Sequence, residues 1–179
     1  MIGVRVALAT TVLAVWVVAV CFSAPALASS GPSGAQVRRA VSRAESSRSL
    51  WATINICNSR TYPDALGVRG QMPTLGFAAV LSMRIQIDYY SSPKKRFVPI
   101  PGSTARRQVS LGRWSSNLQQ AGEVFPFKAH AGLLNATIQF TWMRAGKVIG
   151  QITRQTTAGH KDADYASPPH YSAAQCQIP

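Results

Sequence analysis

From residue 51 onward, apolar and polar side chains alternate with the two-residue period of a β-strand. Ala52, Ile54 and Ile56 fall on one side of a short extended segment, with Thr53, Asn55 and Cys57 on the other. The alternation is clearest over residues 78–90, where Met83, Ile85, Ile87 and Tyr89 oppose Arg84, Gln86 and Asp88. Ala136, Ile138, Phe140 and Trp142 alternate with Thr137, Gln139 and Thr141, and residues 147–157 return after a tight turn at Ala145 and Gly146, which predicts a hairpin. On the returning strand Val148, Gly150 and Ile152 share a face, and the missing side chain at Gly150 marks a bulge or a close backbone approach. Residues 107–114 and 122–128 form weaker strands, and residues 171–178 are the last ordered piece. Two stretches read as connections. Residues 58–76 hold Pro63, Gly67, Gly70, Pro73 and Gly76, and residues 91–101 form a Pro-punctuated loop with Lys94, Lys95 and Arg96. About seven short strands with turns between them and no strong helix over residues 51–179 predict an all-β fold, an antiparallel β-sandwich.

The chain before residue 51 follows a different pattern. Arg5 precedes an apolar run from Val6 to Phe22, and Ala26 and Ala28 present small side chains at an Ala-x-Ala site, so residues 1–28 read as a secretory signal peptide cleaved after Ala28. The alternative is an uncleaved membrane anchor, since the run sits near the roughly 17-residue lower limit for spanning a bilayer. Residues 29–50 read as a basic linker or short helix. Val37, Val41 and Ala44 have helical spacing, Ser33 with Gln36 fits a capping box, and Arg38, Arg39, Arg43 and Arg48 supply positive charge. With few large apolar groups, this segment is expected to be a solvated spacer, with a basic polyanion-binding arm as the alternative. Cys21 leaves with the signal. Cys57 and Cys176 remain, and in an exported chain the simplest reading is one disulfide, the alternative being two free thiols.

Three stretches resemble parts of small secreted immunoglobulin-like β-sandwich proteins of high-GC Gram-positive bacteria, a group with no assigned activity: residues 51–57 (Trp-Ala-Thr-Ile-Asn-Ile-Cys), residues 63–73 from Pro63 to Pro73, and residues 170–176 from His170 to Cys176. The resemblance implies a sandwich fold, an exported location and a Cys57–Cys176 bridge tying the first strand to the last. It carries over no catalytic residue. A buried Trp142 packed against that bridge would complete the likeness to immunoglobulin cores, although the second Cys comes from the final strand and no tyrosine is spaced for a tyrosine corner.

Composition narrows the chemistry. Nineteen Lys and Arg against six Asp and Glu give a formal charge of +13. So few carboxylates argue against paired-carboxylate hydrolases and all-oxygen calcium sites, both of which need several acids converging on one point. His160, Asp162 and His170 could conceivably meet around a metal, but their spacing matches no standard zinc pattern, so no metal or cofactor is expected. Ser91-Ser92-Pro93-Lys94 matches a bare Ser-x-x-Lys pattern without the Ser-Asp-Asn and Lys-Thr-Gly partners that give it meaning. No catalytic residue is expected, and the protein reads as a non-enzyme. The charge remains to be explained. Lys94, Lys95, Arg96, Arg106 and Arg107 gather around one loop and the strand after it, a candidate contact for a polyanion. The expectation is a secreted or envelope-associated binding module whose partner is an anionic cell-envelope polymer or membrane surface. Nucleic acid is the weakest candidate, because no aromatic stacking strip is evident. The alternative is a secreted enzyme or enzyme inhibitor using the 58–76 loop, where Asp64 and Arg69 would meet a histidine in a compact pocket.

Overall fold

The computed structural model describes residues 31–179. The signal segment of residues 1–28, its cleavage site at Ala28 and Cys21 lie outside the described residues. Among the described residues no helix is long and apolar enough to cross a membrane.

Among the described residues nine strands and one helix follow in the order α1 (Gly34–Glu45), β1 (Trp51–Ser59), β2 (Tyr62–Pro73), β3 (Ala79–Ser91), β4 (Arg96–Pro99), β5 (Arg106–Trp114), β6 (Leu118–Pro126), β7 (Gly132–Arg144), β8 (Lys147–Gln155) and β9 (Cys176–Ile178). All named strand pairs are antiparallel. They build two sheets. The smaller has the order β1-β2-β6. The larger is centred on β3 and β7, with β5 and β4 sharing the far side of β3, and β8 and β9 sharing the far side of β7. The inward rows of the two sheets form one core. Ile54, Leu66, Val68, Met72 and Phe125 come from the small sheet, and Leu81, Met83, Ile85, Ile138, Phe140 and Trp142 from the large one. A disulfide joins Cys57 of β1 to Cys176 of β9, with Cα atoms 5.5 Å apart, so it links the small sheet to the large one.

The expected connection at 58–76 is instead mostly β2. Pro63 and Pro73 stand at the ends of the strand, where a missing N–H is tolerated, and Gly67 and Gly70 lie within it. Gly70 is a close-approach residue rather than a turn residue. A Cβ there would stand 2.8 Å from Ile138 Cδ1 and 3.0 Å from Met83 Sδ, so its absence lets the two sheets meet. The 91–101 loop likewise contains β4, which pairs Arg96 with Ser91 and Phe97 with Tyr90 across the tip that holds Lys94 and Lys95.

Residues 31–50, the described part of segment 29–50, are more than a spacer. Ser33 Oγ accepts from Gln36 N while Gln36 Oε1 accepts from Ser33 N, closing the capping box that the sequence predicts. The helix buries Ala40, Val41 and Ala44 in the common core. Its docking surface is Gly150 of β8, where a Cβ would lie 2.5 Å from Val41 Cγ1. Arg154 on β8 donates to Glu45 O at the helix C-terminus (2.7 Å), satisfying a carbonyl the helix leaves free.

The β7–β8 hairpin turns at Ala145 (φ 48°) and Gly146 (φ 74°), the left-handed pair that matches strand twist. Trp142 faces Gly150 and Met143 faces Val148, so Ile149 is an extra, bulged residue. That insertion turns Val148 away from the Gly150 and Ile152 face expected to include it, leaving Val148 56% exposed. Trp142 is buried but not against the bridge. Cys176 pairs with Leu134, eight residues back along β7 or about 26 Å at strand rise, and the Trp142 indole donates to Pro73 O (2.9 Å).

Residues 156–175, between β8 and β9, cover the free edge of β1 and the outer face of the small sheet. Ile54 and Ala173 exchange backbone hydrogen bonds, Thr157 N donates to Ala52 O, and Ser167 N donates to Asn55 O. This cover explains why Thr53 and Asn55, polar and outward in the alternation, are as buried as their apolar neighbours.

Candidate functional site

Strand register assembles a polar grid on the outer face of the large sheet. One row runs Ser110, Ser82, Thr141, Gln151; the next Gln108, Arg84, Gln139, Thr153; the third Arg106, Gln86, Thr137, Gln155. Arg113, opposite Val80, extends the face at one end, and the Lys94–Lys95 tip lies beyond the other. The central rows bound an open cleft of about 340 Å³, lined by Arg84, Gln86, Pro99, Arg106, Thr137, Gln139 and Thr153.

The two arginines of the cleft are laid across the sheet by amides of the neighbouring strand. Arg106 Nε donates to Gln86 Oε1 (2.9 Å), and Arg84 Nε donates to Gln108 Oε1 (3.4 Å). A guanidinium anchored through Nε still presents its terminal N–H fork, the geometry that suits phosphate or carboxylate. The cleft lining contains no carboxylate. Of the six acids, Glu45, Asp64, Glu123, Asp162 and Asp164 lie outside the large sheet, and only Asp88 belongs to it. Asp88 continues the outward face of β3 opposite Pro99 and Asn135, is 6% exposed, and burial raises its carboxyl above the usual carboxylate range.

The sequence-predicted contacts separate here. Arg106 lines the cleft, while Lys94, Lys95 and Arg96 form the exposed hairpin tip beside it. Arg107 is not part of the face. It lies opposite Ile85, on the core-facing side of β5, where its guanidinium carbon sits 5.6 Å from the Phe125 ring centre and Nη1 donates to Ser103 O (2.8 Å). Arg84, Gln86 and Arg113 complete the face. Arg84 and Gln86 are visible in the sequence only as the polar half of an alternation, Arg113 stands out by charge together with the basic residues at 94–107, and the convergence of the three depends on which strands pair.

Asp64, Arg69 and a histidine do not share a pocket. Asp64 takes part in closing the β1–β2 hairpin, its N–H donating to Asn58 Oδ1 (2.8 Å). Arg69 points from β2 toward the cover segment, with its guanidinium carbon 5.0 Å from the Tyr165 ring centre. His160 stacks on Trp51 (4.6 Å, 12° between planes) and shares a hydrogen bond with Thr157 Oγ1, and burial lowers its pKa. His170 Nδ1 lies 3.2 Å from Lys161 O. Among the described residues no three His, Cys, Asp or Glu side chains are grouped to hold a metal ion.

No family model matches the sequence, and no curated protein matches it. Among solved structures the likeness is partial. The sporulation control protein Spo0M from Bacillus subtilis aligns at 8% identity and TM-score 0.27 over 60% of this chain. A putative beta-galactosidase from Bacteroides fragilis aligns at 12% identity and TM-score 0.29 over 62% of this chain. The alignments span 48% and 17% of those two chains, and likenesses of this extent assign no activity.

Proposed function

We propose that the protein is an extracytoplasmic, non-enzymatic binding module that holds an anionic cell-envelope polymer against the outer face of its large sheet. The observation that carries this reading is the cleft in which Arg84 and Arg106 are pre-oriented by Gln108 and Gln86 with no carboxylate in the lining. Pre-orientation matters because ordering a free arginine on binding costs about 0.5 to 1.5 kcal/mol. Arg113 and the Lys94, Lys95 and Arg96 tip lengthen the positive track along β3, which favours a linear polyanion over a single small anion. Export rests on the Ala26–Ala28 signal pattern and accords with the Cys57–Cys176 disulfide, which oxidising compartments favour. The strand orders β1-β2-β6 and β5-β3-β7-β8 support an immunoglobulin-like connectivity, with a bridge that differs from the usual one in joining the first strand to the last.

The test is binding of the chain from Ser29 onward to a glycerol-phosphate polymer, polyglutamate and anionic vesicles across a salt titration. We expect polymer affinity to fall with salt and to drop at least about tenfold, roughly 1.4 kcal/mol, in the Arg84→Gln, Arg106→Gln double variant. The Lys94→Ser, Lys95→Ser, Arg96→Ser variant should lose less, because exposed tip charges are screened more. Full binding by the double variant, or preference for vesicles over both polymers, would overturn the assignment.

A further inference from the structure

The cleft on the large sheet is divided into two chemically different halves. Its positive half lies over β5 and β3, where Arg106 and Arg84 stand, and its neutral half lies over β7 and β8, where Thr137, Gln139 and Thr153 line the same space. Gln139 is directly opposite Arg84, Thr153 is directly opposite Gln139, and Thr137 is directly opposite Gln86, the residue that holds Arg106. We propose, resting on the polyanion reading of this face, that the polymer is a polyol phosphodiester chain, with successive phosphates on Arg84 and Arg106 and its hydroxyl groups on Thr137, Gln139 and Thr153.

The two arginines are spaced for two anionic groups rather than one. Arg84 pairs with Gln108 and Arg106 with Gln86, so they occupy a diagonal of the β3–β5 ladder, about 7 to 8 Å apart at the backbone. Each Nε is tied to the glutamine directly opposite its own Cα, so neither guanidinium is drawn toward the other. In an extended three-carbon polyol, successive phosphorus atoms are separated by six single bonds of roughly 1.5 Å, which at tetrahedral angles span about the same distance. Rotation about those bonds adjusts the interval, whereas a polyuronate fixes it with a rigid ring. A phosphodiester also offers each arginine two terminal oxygens, which match the N–H fork left free by the Nε bond.

The neutral half selects for hydroxyls. Thr153 is exposed and Thr137 and Gln139 are half-buried, all three on the outer face of the sheet. In the neighbouring row Gln151 Nε2 donates to Thr141 Oγ1 (3.1 Å), so that amide and hydroxyl serve each other, whereas the cleft-lining hydroxyls and amide have no such partner among the described residues. A hydroxyl both donates and accepts, so it pairs with a threonine and with either end of an amide. No aromatic or cationic side chain lines this half, which leaves no platform for ring stacking and no site for a further anion. Strands about 4.8 Å apart place Thr137 and Gln139 one step from β3, within reach of hydroxyls on a chain whose phosphates sit on the arginines.

The test measures binding of the chain from Ser29 onward to three probes at equal charge concentration: a glycerol-phosphate polymer with free hydroxyls, the same polymer with those hydroxyls O-methylated, and polygalacturonate. We expect the free polymer to bind about fivefold more tightly than either of the others. Thr137→Val with Thr153→Val keeps the β-branched shape of both side chains, and should weaken binding of the free polymer about fivefold while leaving the methylated one unchanged. That unchanged affinity also reports that the variant is folded. Arg84→Gln with Arg106→Gln should weaken binding of all three probes. Equal binding of the free and methylated polymers, tighter binding of polygalacturonate, or no effect of the threonine changes would overturn the polyol phosphodiester, and dependence on the arginines would then leave the polyanion reading standing. Binding of none of the probes, or binding untouched by the arginine changes, would overturn both.

Discussion

Asp88 is the one acid on a strand face otherwise given to arginine, glutamine and serine. Its carboxyl is buried opposite Asn135, whose Oδ1 is itself buried and unpaired. A protonated Asp88 has an O–H to donate in that environment, whereas an ionised one bears a desolvated charge next to an unsatisfied acceptor. Burial raises the folded-state pKa above the ordinary 3.8, so the folded protein holds the proton more tightly than the unfolded chain does. The resulting stability is fully present below the unfolded value and is lost as pH rises through the folded value. Asp88→Asn should therefore stabilise the domain at neutral pH by on the order of 1 kcal/mol and be near neutral at pH 3, as measured by urea unfolding at both pH values. It should also tighten polyanion binding, by removing the only carboxylate on that sheet. A destabilised variant at pH 7 would mean that the charged form has a partner among its neighbours.

The elements show which features a one-dimensional pattern conveys. β3 and the β7–β8 hairpin were legible because each has one buried face, so Met83, Ile85 and Ile87, or Ile138, Phe140 and Trp142, alternate with polar residues, and because Ala145-Gly146 fits the tight turn. β2 was not, since Gly67 and Gly70 look like turn residues until the neighbouring strand shows that Gly67 makes room for Ile56 of β1 and the facing sheet shows that Gly70 makes room for Ile138 of β7. The candidate site was half legible. Charge drew attention to Lys94, Lys95, Arg96 and Arg106, but the Arg84–Gln108 and Arg106–Gln86 cross-strand pairs exist only once β5 is known to lie beside β3. Docking of α1 was hidden for a similar reason: its buried face is only Ala40, Val41 and Ala44, and its socket is an absent side chain 109 residues after Val41, at Gly150. Gly150→Ala should force Val41 aside and destabilise the domain by roughly 1 to 3 kcal/mol, the usual cost of overpacking. Adding Val41→Ala should recover part of that loss, because it removes the methyl groups the new Cβ meets; thermal melts of the two single variants and the double variant form the cycle.

Across the whole molecule, charge and covalent linkage are both distributed unevenly. Positive groups line the outer face of the large sheet, whereas four of the six acids, Asp64, Glu123, Asp162 and Asp164, belong to the small sheet or its cover. The two faces thus differ in charge, and the disulfide joins the sheets at the far end of the cover segment. Cys57 lies in β1, whose edge the cover segment shields, and Cys176 opens β9, which is only three residues long and pairs with β7 through Gly132, Leu133 and Leu134. With so few strand pairs at the C-terminus, the bridge is the main tether for the far end of the cover. It spans 119 residues of sequence, for which the chain-entropy account gives about 5 kcal/mol of stabilisation. Replacing both cysteines with Ser should lower stability by up to that amount in denaturant. Amide exchange should rise first at Ala173 and Ser167, whose N–H groups donate to β1, while the β3–β7 centre of the large sheet keeps its protection until global unfolding. Arg69 would then lose its contact with Tyr165 before the Arg84–Arg106 cleft changes. Uniform loss of protection at every amide would show instead that the bridge stabilises the sandwich only as a whole, with no separate hold on the cover.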